Sequence, residues 1–323
     1  MRVFVAGGTG VIGRQMVPQL VKSGHDVTVL IRPSHGNVPT SEDVEFVVAD
    51  ALDREGVVRA IVDASPDAIV HMLTSIPEEI NPRRLLRHFS LTNRLRTEGT
   101  RNLLEGAGRA GVHRFVAQGL AYAYEPSRPG LAAEVAPLWT EPPRQFAPVL
   151  DALTYHERRT TEAGGLVLRL GHLYGPGTIY DPDGSFIREV GAGKVPIVGQ
   201  GKSMFSFVHT EDVASAIVAA VESDVTGILN VVDDEPTPIG EWLPVLARLV
   251  GGPAPRHVPA AWARIAIGSW GLAFMTQLRG ASNKRARHLL DWEPRYPSWR
   301  DGFAIELGST APGSATGRGA HRC

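Results

Sequence analysis

The stretch Val3-Phe4-Val5-Ala6-Gly7-Gly8-Thr9-Gly10-Val11-Ile12-Gly13 joins a short apolar run to a glycine turn, after which apolar residues recur at Met16 and Leu20. A run of this length suits a buried strand, and the i, i+4 recurrence suits a helix packed on it. Glycines at 7, 10 and 13 permit a tight turn and let a pyrophosphate approach backbone N–H groups at a helix N-terminus. A glycine cluster also fits a turn with no ligand. Its place between the first strand and the first helix favours a dinucleotide, with Gly7, Thr9, Gly10, Val11, Ile12 and Gly13 as the contacting residues.

Outward from this turn the pattern repeats. Apolar runs at 3–6, 27–31, 45–49, 68–73, 114–118 and 166–170 read as buried strands. Helical patterns at 11–23, 54–64, 83–110 and 147–163 separate them. Such alternation predicts an α/β protein: a Rossmann-type doubly wound parallel sheet with right-handed crossovers. After Leu170 the chain turns rich in glycine and proline, which suggests loops over a cleft. Residues 205–208, 210–222 and 228–232 then read as a return to the sheet. From 237 to 307 the pattern is mostly helical, with Trp242, Trp262, Trp270 and Trp292 available for packing. The expected division is a cofactor domain at 1–170 plus 205–236, a smaller helical substrate lobe at 171–204 plus 237–308, and a disordered tail at 309–323.

Composition narrows the function. The chain has 323 residues, with 33 basic against 34 acidic side chains and a net charge of −1. That balance offers no field for nucleic acid or an anionic membrane. The basic residues are 29 Arg and 4 Lys, a bias that reads as coding composition rather than as a phosphate-binding surface. The single cysteine, Cys323, excludes an internal disulfide and fits a reducing compartment. The apolar stretch 260–275 contains Arg264 and is too short to span a bilayer. No metal-ligand spacing is present. The expected protein is cytoplasmic and acts on a small molecule.

The spacing G-x-x-G-x-x-G resembles the extended short-chain dehydrogenase/reductase superfamily, which includes epimerases and dehydratases. Further matches follow in order: Glu98-Gly99-Thr100-Arg101-Asn102-Leu103-Leu104, Gly111-Val112-His113-Arg114-Phe115-Val116, Tyr174-Gly175-Pro176-Gly177, Phe207-Val208-His209-Thr210-Glu211-Asp212-Val213 and Leu290-Asp291-Trp292-Glu293-Pro294. The resemblance implies that Asp50, with Ala51, contacts adenine and that His71-Met72-Leu73, with Thr74, lies under the nicotinamide ribose. Coenzyme choice is set at the end of the second strand, where an acid accepts the ribose hydroxyls of NAD and an Arg pairs with the 2′-phosphate of NADP. Arg32 stands there, so NADPH is the expected coenzyme, with NADH the alternative if Arg32 is only a solvated charge. The family's dimers imply a homodimer through segments 83–110 and 147–163.

That superfamily polarises a carbonyl with Ser or Thr and moves the proton with a Tyr assisted by a Lys four residues on. Here the segment after the fifth strand reads Gln118-Gly119-Leu120-Ala121-Tyr122, so Gly119 or Leu120 stands at the serine position. Tyr155-His156-Glu157-Arg158-Arg159 offers a Tyr/Arg pair. However, Tyr155 lies under three turns from Gly164, at about 3.6 residues per turn, where the family helix is longer. Aligning on Glu157 places Val149 and Leu153 at the Tyr and Lys positions, which leaves the triad absent. The remaining catalytic candidates are His172, Ser75 and Tyr122. His172 either donates to a carbonyl or packs against the loop.

Sugar-nucleotide members of the superfamily carry an Arg where Phe205 stands and an Asn where His172 stands, so a sugar nucleotide is not expected. Phe186, Met204, Phe205 and Trp270 instead suit a flat hydrophobic substrate, unless they only fill the lobe's core. Together these features resemble an aromatic-polyketide (angucyclinone) ketoreductase of secondary metabolism, which implies hydride transfer to a ketone of a polycyclic aromatic. The alternatives are an epimerase or dehydratase, and a non-catalytic NADP-binding sensor.

Overall fold

A computed structural model describes residues 1–32 and 41–308; the tail expected at 309–323 lies outside them. Seven strands form one parallel sheet: β1 (Arg2–Ala6), β2 (Asp26–Ile31), β3 (Val44–Val48), β4 (Ala68–His71), β5 (Arg114–Leu120), β6 (Leu166–Leu170) and, numbered in chain order, β11 (Gly227–Val231). Their spatial order is β11-β6-β5-β4-β1-β2-β3. The order reverses between β1 and β4, and such a switch point leaves a crevice at the carboxyl ends of the strands.

Alternation along β1 builds the layers. Val3 and Val5 enter one core with Met16 and Leu20 of α1 (Val11–Lys22) and with Ala214 and Ile217 of α8 (Thr210–Val221). Phe4 and Ala6 enter the opposite core with Val57 and Ile61 of α2 (Arg54–Ala64) and Leu103 and Ala107 of α5 (Thr100–Ala110). Successive strand side chains point to opposite faces, so one apolar run feeds both layers.

The helix expected over 83–110 is broken. A short 3₁₀ turn, Pro82–Arg84, leads into α3 (Leu85–His88) and α4 (Ser90–Arg94); a π turn, Leu95–Gly99, then precedes α5. α6 (Ala147–Glu162) packs on β5 and on the π turn. The return expected at 205–208 is also corrected: β9 (Met204–Phe205) and β10 (Phe207–His209) leave the main sheet. β10 pairs with β7 (His172–Tyr174), and β9 pairs antiparallel with β12 (Thr237–Pro238). Of that return, α8 and β11 do rejoin the sheet layers.

The remaining elements are α7 (Ser185–Gly191), β8 (Ile197–Val198), α9 (Ile239–Leu249), β13 (His257–Val258), α10 (Ala260–Thr276), α11 (Lys284–Leu290), which packs on β11 and α8, and α12 (Trp299–Gly308). A second core beside the sheet is aromatic: Phe205, Phe207, Trp242, Trp299 and Phe303 are each no more than 1% exposed. One tryptophan departs from expectation: Trp262 is 69% exposed, although the neighbouring Ala263 is buried. Trp292 packs, in the sheet core beside α8.

Candidate active site

The glycine turn is fixed by contacts that no side chain could share. Gly7 has φ +107°, and a Cβ there would lie 2.7 Å from the Met72 carbonyl carbon. A Cβ on Gly13 would lie 2.3 Å from the Gly8 backbone. These approaches bring the start of α1 against the end of β4, where Met72 N–H donates to the Ala6 carbonyl at 2.8 Å. Gly10 is the N-cap of α1 and supplies no side-chain cap, and the first turn holds no acid. The first intrahelical bond runs from Arg14 N–H to the Gly10 carbonyl. The N–H groups of Val11, Ile12 and Gly13 therefore face outward with the positive end of the helix dipole, an arrangement suited to a pyrophosphate. The loop after β7 passes over this turn, a Cβ on Gly177 lying 3.8 Å from Val11 Cγ2.

The other expected cofactor residues frame the same edge. Arg32 follows β2 and is exposed. Asp50 caps its own turn, accepting from Leu52 N–H at 2.9 Å, and buried Asn102 donates to the Ala51 carbonyl. Leu73 and Thr74 follow β4 beside the glycine turn, with Leu73 N–H donating to His71 Nδ1. Ser75 N–H donates to the buried Thr92 hydroxyl at 2.9 Å, which ties this loop to α4.

Beyond β5 and β6 the expected catalytic residues divide. Tyr122 and His172 come together, their rings stacked at 4.5 Å with an interplanar angle of 11°. His172 stacks in turn on Phe205 at 4.3 Å, with Phe274 edge-on. Burial lowers the His172 pKa to about 3, so the ring is neutral near pH 7 and its Nε2 has no hydrogen-bond partner. Burial likewise raises the Tyr122 phenol, which stays protonated. Tyr155 lies elsewhere in α6, half-buried with the Arg158 guanidinium over its ring, whereas Val149 and Leu153 are buried.

Gly119 has a physical reason. A Cβ there would lie 2.7 Å from Glu157 Oε1, whose carboxylate is bonded to Arg169 at 3.0 and 2.7 Å. This ion pair is almost fully buried, and the Arg169 guanidinium also lies over the Tyr124 ring at 4.8 Å. The pair fills the space a serine would need.

Of the expected substrate wall, Phe205 and Trp270 are packed, Trp270 on Phe146 at 3.9 Å. Phe186 and Met204 are partly exposed. Surface hollows of about 400 Å³ beside Arg54 and Glu105, and about 300 Å³ beside Trp139 and Arg264, include none of these site residues.

Sequence reasoning missed Arg96. It sits in the π turn, 2% exposed, with Nε and Nη1 unpaired. The irregular turn has no composition signal, so the sequence reads as continuous helix there. Near it lies a buried chain of bonds: His71 Nε2 to Thr100 Oγ1 at 3.1 Å, Thr100 Oγ1 to His156 Nδ1 at 2.6 Å, and His156 Nε2 to the Gln118 carbonyl at 2.9 Å. Since His156 Nε2 must donate to a carbonyl, its Nδ1 accepts from Thr100. Among the described residues no group of three or more His, Cys, Asp or Glu could hold a metal, and no helix is long and apolar enough to cross a membrane.

Comparison with known proteins agrees with this geometry. Residues 3–231 match the profile of the NAD dependent epimerase/dehydratase family. A Streptomyces protein described as 3-diazoavenalumate denitrifying reductase is 46% identical over 314 residues, spanning 95% of this chain and all of the relative. The UDP-glucose 4-epimerase of Thermus thermophilus, solved with NAD, superposes with a TM-score of 0.70 at 25% identity, covering 95% of this chain and 98% of the epimerase. DesIV, a dTDP-glucose 4,6-dehydratase from Streptomyces venezuelae, gives a TM-score of 0.74 at 23% identity, covering 95% and 96%. The second likeness shows fold alone.

Proposed function

Because this chain belongs to the NAD dependent epimerase/dehydratase family and is an oxidoreductase of the reductase kind, we propose that it reduces a hydrophobic aromatic substrate with NADPH, and that the accepting group is an aryl diazo function. The glycine turn, the uncapped start of α1, Asp50, Leu73 and Thr74 would hold the dinucleotide. Arg32 supports NADPH, because a guanidinium at the end of β2 suits a 2′-phosphate.

One observation supports the choice of acceptor: buried Val149 and Leu153 stand where a Tyr/Lys pair would, and the polar side chains after β5 and β6 are His172 and Tyr122, stacked on each other. His172 is neutral, with a pKa near 3, and Tyr122 is a half-buried phenol that desolvation shifts upward. On α6, Val149 and Leu153 present no Tyr and Lys to help. A ketone would need such help, since its alkoxide must be protonated or strongly bonded. An aryl diazonium needs none: with the hydride that bound NADPH supplies, Ar–N2⁺ becomes Ar–H and N2, the electron pair ending in the new C–H bond. The 46% identical reductase is named for action on a diazo compound, which favours the same acceptor class here. The residues of this chain then bind, orient and exclude water. Phe186 and Met204, partly exposed, are the proposed apolar wall for the arene, in a smaller lobe proposed at 171–204 plus 237–308, with Phe205 and Trp270 packed behind them.

The test mixes protein, NADPH and 4-hydroxybenzenediazonium, following NADPH absorbance and evolved N2 against a protein-free control. Equal amounts of NADPH consumed and N2 released, both dependent on protein, are expected. NADPH consumption with polycyclic aromatic ketones but not with the diazonium would replace this reading with the ketoreductase one. Binding of NADPH with turnover of neither would leave a sensor.

A further inference from the structure

Arg96 is a buried cation that the fold does not neutralise. Its Nε and Nη1 have no hydrogen-bond partner among the described residues, and leaving such donors unpaired at 2% exposure is expensive. The carboxylate that senses it, Glu157, is already committed to Arg169 through two bonds. The other groups facing Arg96 are the neutral rings of His71 and His156 and the phenol of Tyr122. Tyr122 in turn stacks on His172, whose Nε2 is buried and unpartnered as well. Two unsatisfied buried groups thus flank one phenol at the carboxyl ends of β5 and β6, in surroundings otherwise built of Phe205 and Phe274. Tyr122 is the partly exposed member, so a ligand entering from the crevice meets it first.

We propose that Arg96 is the anchor for a carboxylate carried by the aromatic substrate, with Tyr122 and His172 completing the polar end of the site. The idea rests on the reading of an aromatic substrate given above and adds that the substrate is an acid. A guanidinium is suited to this task because it stays charged when desolvated and its planar donors match a carboxylate. The stability cost of burying it unpaired is offset only when the anion arrives, so the apo protein trades stability for recognition.

The experiment measures binding rather than turnover. Protein saturated with NADP⁺ is titrated calorimetrically with 4-hydroxycinnamate, 4-methoxycinnamate and 4-hydroxycinnamamide. Wild type is expected to bind both acids at least about tenfold more tightly than the amide, as a charge-assisted pair requires. Arg96→Gln should lose that preference while binding the amide as wild type does, and its thermal midpoint should equal or exceed the wild-type value. Arg96→Lys, which keeps the charge, should retain part of the preference and serves if the Gln variant misfolds. Equal binding of acid and amide by wild type, binding of no probe, or an undiminished preference in Arg96→Gln would overturn the proposal. Binding of 4-hydroxycinnamate but not 4-methoxycinnamate would also overturn it, since the phenol would then be the anchored group. Failure of the diazonium assay with the acid preference intact would refute the acceptor and leave the anchor standing.

Discussion

Gly119→Ala is the sharpest probe of how β5 is held against α6. The new methyl would lie 2.7 Å from Glu157 Oε1, 3.0 Å from Arg169 Cγ and 3.0 Å from Val167 Cγ1. Overfilling a packed interior costs about 1–3 kcal/mol, and displacing a carboxylate 5% exposed puts the value near the upper half of that range, about 2 kcal/mol. Glu157→Ala alone leaves the Arg169 guanidinium buried without its partner, at about 3–5 kcal/mol. In the Glu157→Ala background the offending oxygen is gone while the 3.0 Å contacts to Arg169 Cγ and Val167 Cγ1 remain, so Gly119→Ala should cost about 1 kcal/mol. The two changes should therefore couple by about 1 kcal/mol in a double-mutant cycle. Urea unfolding followed by far-UV circular dichroism measures all four proteins. Additivity within about 0.5 kcal/mol would refute the argument that the ion pair excludes a side chain from position 119.

Three other outcomes are expected. Gly13→Ala, whose Cβ would lie 2.3 Å from the Gly8 backbone, should abolish NADPH binding measured by fluorescence, because backbone cannot yield as a side-chain tip can. Arg32→Ala should reduce the NADPH-to-NADH ratio of kcat/KM by about tenfold or more, with unchanged NADH values, if the guanidinium holds the 2′-phosphate. Acid should destabilise the fold. His71 and His172 titrate near 3 and His209 near 4 when folded, all lowered chiefly by burial, against about 6.5 unfolded. The unfolded chain therefore binds more protons between pH 6.5 and 4, and each histidine removes up to about 2 kcal/mol on going from pH 6.5 to 5. Asp212, raised to about 6, and Asp233 and Glu306, also raised by burial, act in the opposite sense, against these three histidines and His156, which burial lowers too. A urea midpoint unchanged between pH 7 and 5 would contradict this.

The sheet was legible because each of its strands is short, apolar and spaced by a helix, and because the glycine turn fixes where the first crossover begins. Counting residues from Tyr155 to Gly164 likewise places it mid-helix, and Tyr155 does lie within α6. The smaller lobe was less legible for a chemical reason: an aromatic that lines a cleft and one that fills a core are the same residue. Phe205 and Trp270 proved to be stacked on His172 and Phe146, while Trp262, expected to pack, is exposed. Arg96 was invisible for a different reason. Among 29 arginines nothing local marks the one that a π turn carries inward, where the turn lies against α4, α5 and α6.

The central claim is that this chain delivers a hydride to an aryl diazo group without supplying a proton. Its most direct test uses NADPH carrying deuterium at the nicotinamide C4 and a diazonium bearing a carboxylate, in ordinary water, with the arene product read by mass spectrometry. The account predicts one deuterium per product molecule, one N2 per NADPH consumed, and a rate unchanged by replacing solvent water with heavy water. Product that carries solvent hydrogen in place of the deuterium, or an alcohol formed from a ketone while the diazonium survives, would contradict it.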